Sequence, residues 1–323
     1  MSRTPSPREV AGYIGNLGRF LRARGRREDE DQAALTELRA DAAALDLPPG
    51  LEIEWLGTAG YRLTYEGQTV FLDPYLSRSS LGDVLRRRRV VIEPGLYATH
   101  LDPHAGEVLG VLVGHTHFDH AIDVPAIAGR YDAPAYGSRS LTQLMRIHGQ
   151  EAQAVEVEPH RAYELGPFTV RFIPSLHSKL ILGLAVPSAG ELTCEHLEGL
   201  TPSAYKCGDV YGIHIEVAGR TIYHQGSANL IDDQVPTGGV DLFLAGIAGR
   251  GFTEDYWSRI LRRLEPRVVV ASHFDDFFRP VEDPVGMSLN VALARVPEEI
   301  GAVGRDFRVV TLRPFESVSA TAV

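Results

Sequence analysis

Residues 115–120 read His-Thr-His-Phe-Asp-His and follow the apolar run Val111-Leu112-Val113-Gly114. In an extended segment alternate side chains share a face, so His115 and His117 can point into one pocket. A turn after them would let Asp119 and His120 present to a second point nearby. Imidazole nitrogens with a carboxylate make the donor set of zinc-like ions. A buried strand feeding a polar loop would put such a site at a sheet edge. The competing reading is a surface loop that happens to be rich in histidine. The rest of the chain supplies pieces that argue against it.

The elements that must position these side chains are strands from residue 51 onward. Residues 61–65 and 69–72 flank Glu66-Gly67-Gln68, a hairpin signal, and residues 211–217 and 221–224 flank Ala218-Gly219-Arg220 in a similar design. Each hairpin ends in a polar turn, Asp73-Pro74 in one and Gln225-Gly226-Ser227 in the other. This weak internal echo fits two β-rich halves facing each other. Helical patterns at 125–130, 140–147, 254–264 and around 289–295 lie between strands. Sheets inside and helices outside predict a four-layer αββα sandwich of the α/β class.

The first 50 residues read as a separate helical extension to a unit spanning 51–323. Val10, Tyr13, Ile14, Leu17, Phe20 and Leu21 form one apolar stripe behind the Ser6-Pro7 cap, in a segment rich in arginine. A second, polar helix is expected over 28–45, closed by Pro48-Pro49-Gly50. Such helices pack on the body or a partner subunit, or lie peripherally on an anionic membrane; packing is the preferred reading.

Composition agrees with a large enzyme. The chain has 323 residues, 44% of them hydrophobic, ample for a sizeable core. A formal net charge of −10 argues against nucleic acid as the partner. The two cysteines, Cys194 and Cys207, form no CxxC pair and point to a reducing compartment. With no apolar run of about eighteen residues and no apolar leader at Met1, the expectation is a cytoplasmic protein.

Five stretches carry a resemblance to a known family. The hexapeptide is similar to the HxHxDH signature of the metallo-β-lactamase fold. Trp55-Leu56-Gly57-Thr58-Ala59-Gly60 resembles the family's opening strand and turn, and Phe71-Leu72-Asp73-Pro74 its next motif. Pro174-Ser175-Leu176-His177 and Val268-Val269-Val270-Ala271-Ser272-His273 resemble its last two, each a strand delivering a lone histidine. Order and spacing fit from about residue 51 to residue 312. The chain most resembles the branch holding ascorbate-phosphate lactonase and N-acyl-phosphatidylethanolamine phospholipase D.

The resemblance implies the same sandwich, with all ligands on loops along one edge. By motif position His115, His117 and His177 would hold a first metal, and Asp119, His120 and His273 a second. Three protein ligands and an open position make a catalytic rather than a structural site. A water acidified toward hydroxide by the ions would attack an ester, lactone, phosphodiester or amide, with Asp119 as the catalytic acid–base group. Asp73 would sit behind the ligands and orient an imidazole or loop amide. Zinc is the expected ion, with manganese or iron as alternatives.

One departure stands out. Most of the branch carries Gly-Asp-Thr after the second hairpin, and its Asp bridges the two metals. Here the stretch is Gly226-Ser227-Ala228, and a serine cannot bridge as a carboxylate does. The second metal is therefore expected to be the weaker. Asp232 or Asp233 could compensate, although neither is favoured, and His224 would support the loop. His100, His104, His148, His160, His196 and His214 match no ligand spacing, although His196 lies in an irregular insert over 179–206 that would cover the site. Arg86-Arg87-Arg88-Arg89 invites an anionic or amphiphilic small-molecule substrate, or else is a solvated helix end. Phe274, Phe277 and Phe278, with Asp275 and Asp276, would shape the pocket wall. Competing functions are an iron-dependent oxidoreductase on the same fold, a non-hydrolytic member with a crippled second site, and a nucleic-acid-processing member. The last lacks the expected basic surface and extra inserted domain.

Overall fold

The computed structural model describes residues 24–180, 185–288 and 291–320. It opens with two helices, α1 (Arg24–Glu37) and α2 (Ala42–Leu45). The single polar helix expected over 28–45 is therefore interrupted. Arg39 forms a parallel bridge to Thr311, and Ala40 N donates to Thr311 O at 2.9 Å, so this stretch of backbone is committed to a neighbour outside the helix. Asp41 restarts the helix as an N-cap, its Oδ1 accepting from Ala44 N at 2.8 Å. Ala34, Leu35, Ala40, Ala44, Leu45 and Leu47 are buried in the main core, and Asp31 accepts from Ala294 N at 2.8 Å. This part of the extension packs on the body. The apolar stripe expected from Val10 to Leu21 lies outside the described residues.

The first sheet holds β1 (Leu51–Gly57), β2 (Gly60–Tyr65), β3 (Gln68–Leu72), β4 (Glu107–Leu112), β5 (Ala135–Gly137), β6 (Ala154–Glu156) and β14 (Ser317–Ser319). Their order is β14-β1-β2-β3-β4-β5-β6. The second holds β7 (Ala162–Leu165), β8 (Phe168–Ser175), β9 (Val210–Val217), β10 (Arg220–Gln225), β11 (Leu242–Gly246), β12 (Val268–Ser272) and β13 (Arg308–Thr311). Their order is β13-β12-β11-β10-β9-β8-β7.

The two expected hairpins have the same local cause. Glu66 and Gly67 take φ of 52° and 77°, and Ala218 and Gly219 take 51° and 70°. Two consecutive left-handed residues make the tight turn whose twist matches that of antiparallel strands. The registers Tyr65↔Gln68 and Val217↔Arg220 close directly on these turns.

Alternation along the strands then builds the layers. Ile53, Trp55, Leu63, Val70 and Leu72 of the first sheet share one core with Phe168, Val170, Phe172, Ile213, Ile215 and Phe243 of the second. The opposite face of the first sheet, with Leu56, Phe71 and Val111, packs in a separate cluster with α6 (Val124–Tyr131) and α7 (Arg139–Ile147). The α7 residues Leu141, Leu144 and Met145 supply a helical stripe for that face. On the second sheet α8 (Tyr256–Leu264) buries Ile260, Leu261 and Leu264. Each such side chain contributes about 1.5–3 kcal/mol when fully buried. The result is the four-layer α/β sandwich. Of the helical pattern expected around 289–295, residues 289 and 290 lie outside the described residues, and Leu293–Arg295 form a short 3₁₀ turn leading into α9 (Val296–Gly301), with Pro297 in the first helical turn.

β3 and β4 run parallel, as do β10, β11 and β12, and β8 is antiparallel to β9, which is antiparallel to β10. The loops that leave β3, β4, β8, β10 and β12 therefore emerge from strand C-termini, the usual place for a site in such sheets. Cys194 and Cys207 are unpaired. Among the described residues no helix is long and apolar enough to cross a membrane.

Candidate metal centre

After β4 the chain runs straight into the hexapeptide. Thr116 pins it to the segment that leads into β9, its N donating to Cys207 O at 2.9 Å and its Oγ1 to Lys206 O at 2.6 Å. The chain then turns at His117, which caps the one-turn helix α5 (Phe118–Ala121). That turn separates the pair His115 and His117 from Asp119 and His120. His177 arrives from β8 and His273 from β12. Two clusters result: His115, His117 and His177 in one, and Asp119, His120 and His273 in the other, the donor atoms within each lying within 4.8 Å of one another. All six side chains are buried. The rings of His115 and His120 sit 3.9 Å apart, so the clusters adjoin.

Hydrogen bonds at His117 and His177, and a carboxylate contact at His120, decide which nitrogen of these rings faces inward. His117 Nε2 is 2.8 Å from Pro187 O, leaving Nδ1 to face His177 Nε2 at 3.1 Å. His177 Nδ1 is 2.7 Å from Ser178 O. His120 Nδ1 is 3.0 Å from Asp73 Oδ2, leaving Nε2 toward Asp119 Oδ2 at 3.8 Å. His273 Nε2 faces the same Asp119 oxygen at 3.4 Å. His115 Nε2 is buried with no hydrogen-bond partner. A buried orphan nitrogen beside two imidazoles, His117 and His177, whose outer nitrogens are already engaged fits an ion held by this cluster.

Charge follows the same division. Burial, the largest cause, pushes His117 down to about 4 and His177 down to about 3, and holds His115 well below the ordinary imidazole value. Neutral rings are the state a metal requires. Burial alone would raise Asp73 and Asp119. The facing imidazole of His120, with His224 at Asp73 and His273 at Asp119, outweighs it and holds both carboxyls below their usual range. His120 is raised: burial opposes its charge, and Asp73 and Asp119 prevail.

Asp73 ties the two sheets together at this edge. Its Oδ1 accepts from Gly114 N at 2.7 Å, and its Oδ2 lies 2.9 Å from His224 Nε2 across the sandwich. His224 thus stands behind Asp73, away from both clusters. Gly226 must be a glycine, since a Cβ there would lie 2.7 Å from Asp73 Oδ2 and 3.0 Å from His120 Cε1. Ser227 is buried, and its Oγ accepts from Ser178 N at 3.1 Å. No carboxylate takes its place: Asp232 is exposed and held by Arg259 Nε at 2.9 Å, and Asp233 is exposed.

Several contributors carry no residue-type signal in the sequence. Pro187 and Ser178 act through backbone carbonyls. Thr58 accepts from His273 N at 2.8 Å and is itself held by Asp275 Oδ1 at 2.9 Å and Arg78 Nη1 at 2.9 Å. His273 sits at φ 58° and Thr58 at φ 52°, strained conformations that this network holds in place. Gln225 Nε2 donates to Ser175 Oγ at 2.8 Å and to Asn229 O at 2.9 Å, joining the strands that deliver His177 and Ser227. Pro187 lies in the expected insert over 179–206, whose described part is irregular apart from the turn Leu197–Gly199. None of the six remaining histidines shares either cluster, and His196 is exposed. Arg86, Arg87, Arg88 and Arg89 are all exposed, and Arg88 pairs with Asp83 at 3.0 Å. They form the solvated helix end.

Comparison with known proteins agrees. The beta-lactamase superfamily domain matches residues 52–273. The chain is 28% identical over 220 residues to a UPF0173 metal-dependent hydrolase of Pelotomaculum thermopropionicum, covering 65% of this chain and 88% of that one. It is 28% identical over 263 residues to another from Anaeromyxobacter sp., covering 78% of this chain and 80% of that one. Among solved structures, YhfI of Bacillus subtilis, a metallo-beta-lactamase fold protein, superposes with TM-score 0.51 at 13% identity, covering 83% of this chain and 98% of that one. CmlA, a diiron beta-hydroxylase of Streptomyces venezuelae, superposes with TM-score 0.54 at 15% identity, covering 84% of this chain and 55% of that one. The match to residues 52–273, on the αββα sandwich described above, places the chain in the metallo-β-lactamase superfamily.

Proposed function

We propose that the protein is a metal-dependent hydrolase that cleaves an ester, lactone, phosphodiester or amide bond in a small molecule. The observation that carries this reading is the pair of adjoining three-donor clusters, with the outer nitrogens of His117 and His177 hydrogen-bonded to carbonyls and that of His120 beside the Asp73 carboxylate. The relatives named metal-dependent hydrolases support it. His115, His117 and His177 would hold one ion, and Asp119, His120 and His273 the other. Zinc suits a set of five imidazoles and one carboxylate, with manganese and iron as alternatives. When bound, the ions would supply Lewis acidity and an acidified water.

The chain's own residues do the rest. Asp119 directs Oδ2 at His120 and His273, which leaves Oδ1 to accept a proton from the attacking water. Asp73 orients His120 and His224, and Pro187 O holds the His117 ring. Burial of all six donors limits bulk water and strengthens their electrostatic effect on the charge that develops in the transition state. We assign catalysis to residues 51–323 and leave 1–50 as a helical extension. The unpaired cysteines favour a cytoplasmic location.

Elemental analysis after zinc-, manganese- and iron-supplemented expression, with a chromogenic panel of lactones, phosphodiesters, phosphomonoesters and β-lactams, tests this reading. Bound metal and turnover on at least one class are expected. Metal with no hydrolysis would overturn it. An iron-loaded, coloured protein would move the assignment to the second reading, an iron-dependent oxidoreductase; CmlA shows that the fold also hosts such chemistry.

A further inference from the structure

The loop after His273 contains three phenylalanines with two fates. Phe274 is 1% exposed and packs on Trp55 with ring centroids 4.8 Å apart, as a core residue does. Phe277 and Phe278 remain half-buried. They pack on each other at 4.3 Å and on Phe118, also half-buried, at 6.3 and 6.5 Å. Phe118 lies between His117 and Asp119 in the hexapeptide. Phe277 presents its ring to that of His273 edge-on at 5.6 Å. Phe277 therefore abuts the second donor cluster, Phe118 and Phe278 pack against it, and all three keep surface open to solvent.

Leu176 and Leu180 flank His177 and are 46% and 36% exposed, although Phe172 and Ile173 just before them are buried. The described residues contain five large exposed hydrophobics, these two among them. At the second cluster, the imidazole of His273 is bordered by the apolar ring of Phe277. The arginines at 86–89, the sequence feature that suggested an anionic group, are exposed, and Arg88 pairs with Asp83.

We infer that Phe118, Phe277 and Phe278 form a subsite for an alkyl or aryl group of the substrate. The inference rests on the hydrolase reading, because it places the scissile bond over the donor clusters and the apolar group against the rings. An apolar group laid there removes its own surface and that of the rings from water, which is the driving force for such contacts. The substrate class is then an ester, amide or phosphoester with an apolar acyl, alkyl or aryl portion.

Calorimetric titration of the zinc-loaded protein with methyl-, butyl-, hexyl- and phenylphosphonate tests it. Affinity is expected to rise at least tenfold from methyl to hexyl, and the methyl-to-phenyl comparison reads the aryl arm. Phe277→Ala combined with Phe278→Ala should reduce the hexyl-to-methyl ratio severalfold. A flat series, or no binding of any phosphonate, overturns the subsite even if the double variant fails to fold. A wild-type ratio in the folded double variant also overturns it. The same chain-length series in p-nitrophenyl esters separates the two readings: length-dependent phosphonate binding without ester, amide or phosphoester turnover sinks the hydrolase and leaves the subsite standing.

Discussion

Asp73 Oδ2 lies 3.0 Å from His120 Nδ1, with both side chains buried. That contact is what aims Nε2 of His120 at Asp119, and it is made by a carboxylate that also holds Gly114 N and His224. Asp73→Asn keeps the shape but loses the charge that holds His120. Zinc affinity of the second site is expected to fall about 10–100-fold, the usual cost of losing a partner behind a ligand. Asp73→Ala, which leaves buried groups uncompensated, should also cost about 3–5 kcal/mol in stability. Zinc titration and denaturant unfolding read the two effects, and unchanged second-site affinity in the Asn variant would remove the positioning role.

By the resemblance in the sequence, Ser227 stands where most of the branch carries a bridging carboxylate; in the structure its hydroxyl holds Ser178 N. Zinc titration should show two unequal steps, the weaker from Asp119, His120 and His273. Ser227→Asp is expected to tighten the weaker step at least tenfold. Equal affinities in the wild type, or no tightening in the variant, would show that a missing bridge does not set the second site's strength.

Asp119 is the one carboxylate among the six donors. Asp119→Asn should lower kcat/KM by more than about two orders of magnitude, as expected for a positioned acid–base group, with an unchanged circular dichroism spectrum. Because His273 Nε2 faces the same oxygen, zinc bound at the second site should weaken in parallel. Full activity in the variant would exclude the proposed proton transfer.

Glu299 belongs to neither donor cluster and offers a pH test of the fold. Burial would raise its carboxyl, but Arg250, bonding through Nε at 2.7 Å and Nη2 at 3.1 Å, and Trp257 Nε1 at 3.0 Å outweigh that and lower it. A carboxyl lowered in the fold contributes stability that is complete above its unfolded pKa, about 4.3, and fades as pH falls through the lower folded value. Glu299→Gln should therefore cost about 1–2 kcal/mol at pH 7, discounted for partial exposure, and the gap to wild type should narrow below pH 4.3, about the unfolded value. A pH-independent gap between pH 3 and 7, a range spanning that value, would mean that packing rather than charge carries the contribution.

The sequence by itself determined the parts of this protein that depend on near neighbours. Alternation at His115 and His117, followed by a turn, is local geometry, and so the two-cluster layout was legible in six residues. Both hairpins were legible because Glu66-Gly67 and Ala218-Gly219 can take two left-handed residues in succession. The second helix was not: residues 28–45 have helical composition, but the Arg39–Thr311 bridge, 272 residues apart in the chain, breaks the run. The same holds for the site's supports. The carbonyl that orients His117 belongs to Pro187, and a carbonyl has no residue-type signature. Asp232, near Ser227 in sequence, is drawn away by Arg259. Phe274 and Phe277 are alike in composition and three residues apart, yet one is core and one borders the ligands. Local periodicity is written in adjacent residues, whereas burial and the partner of each hydrogen bond depend on which distant segments the packed sheets bring together.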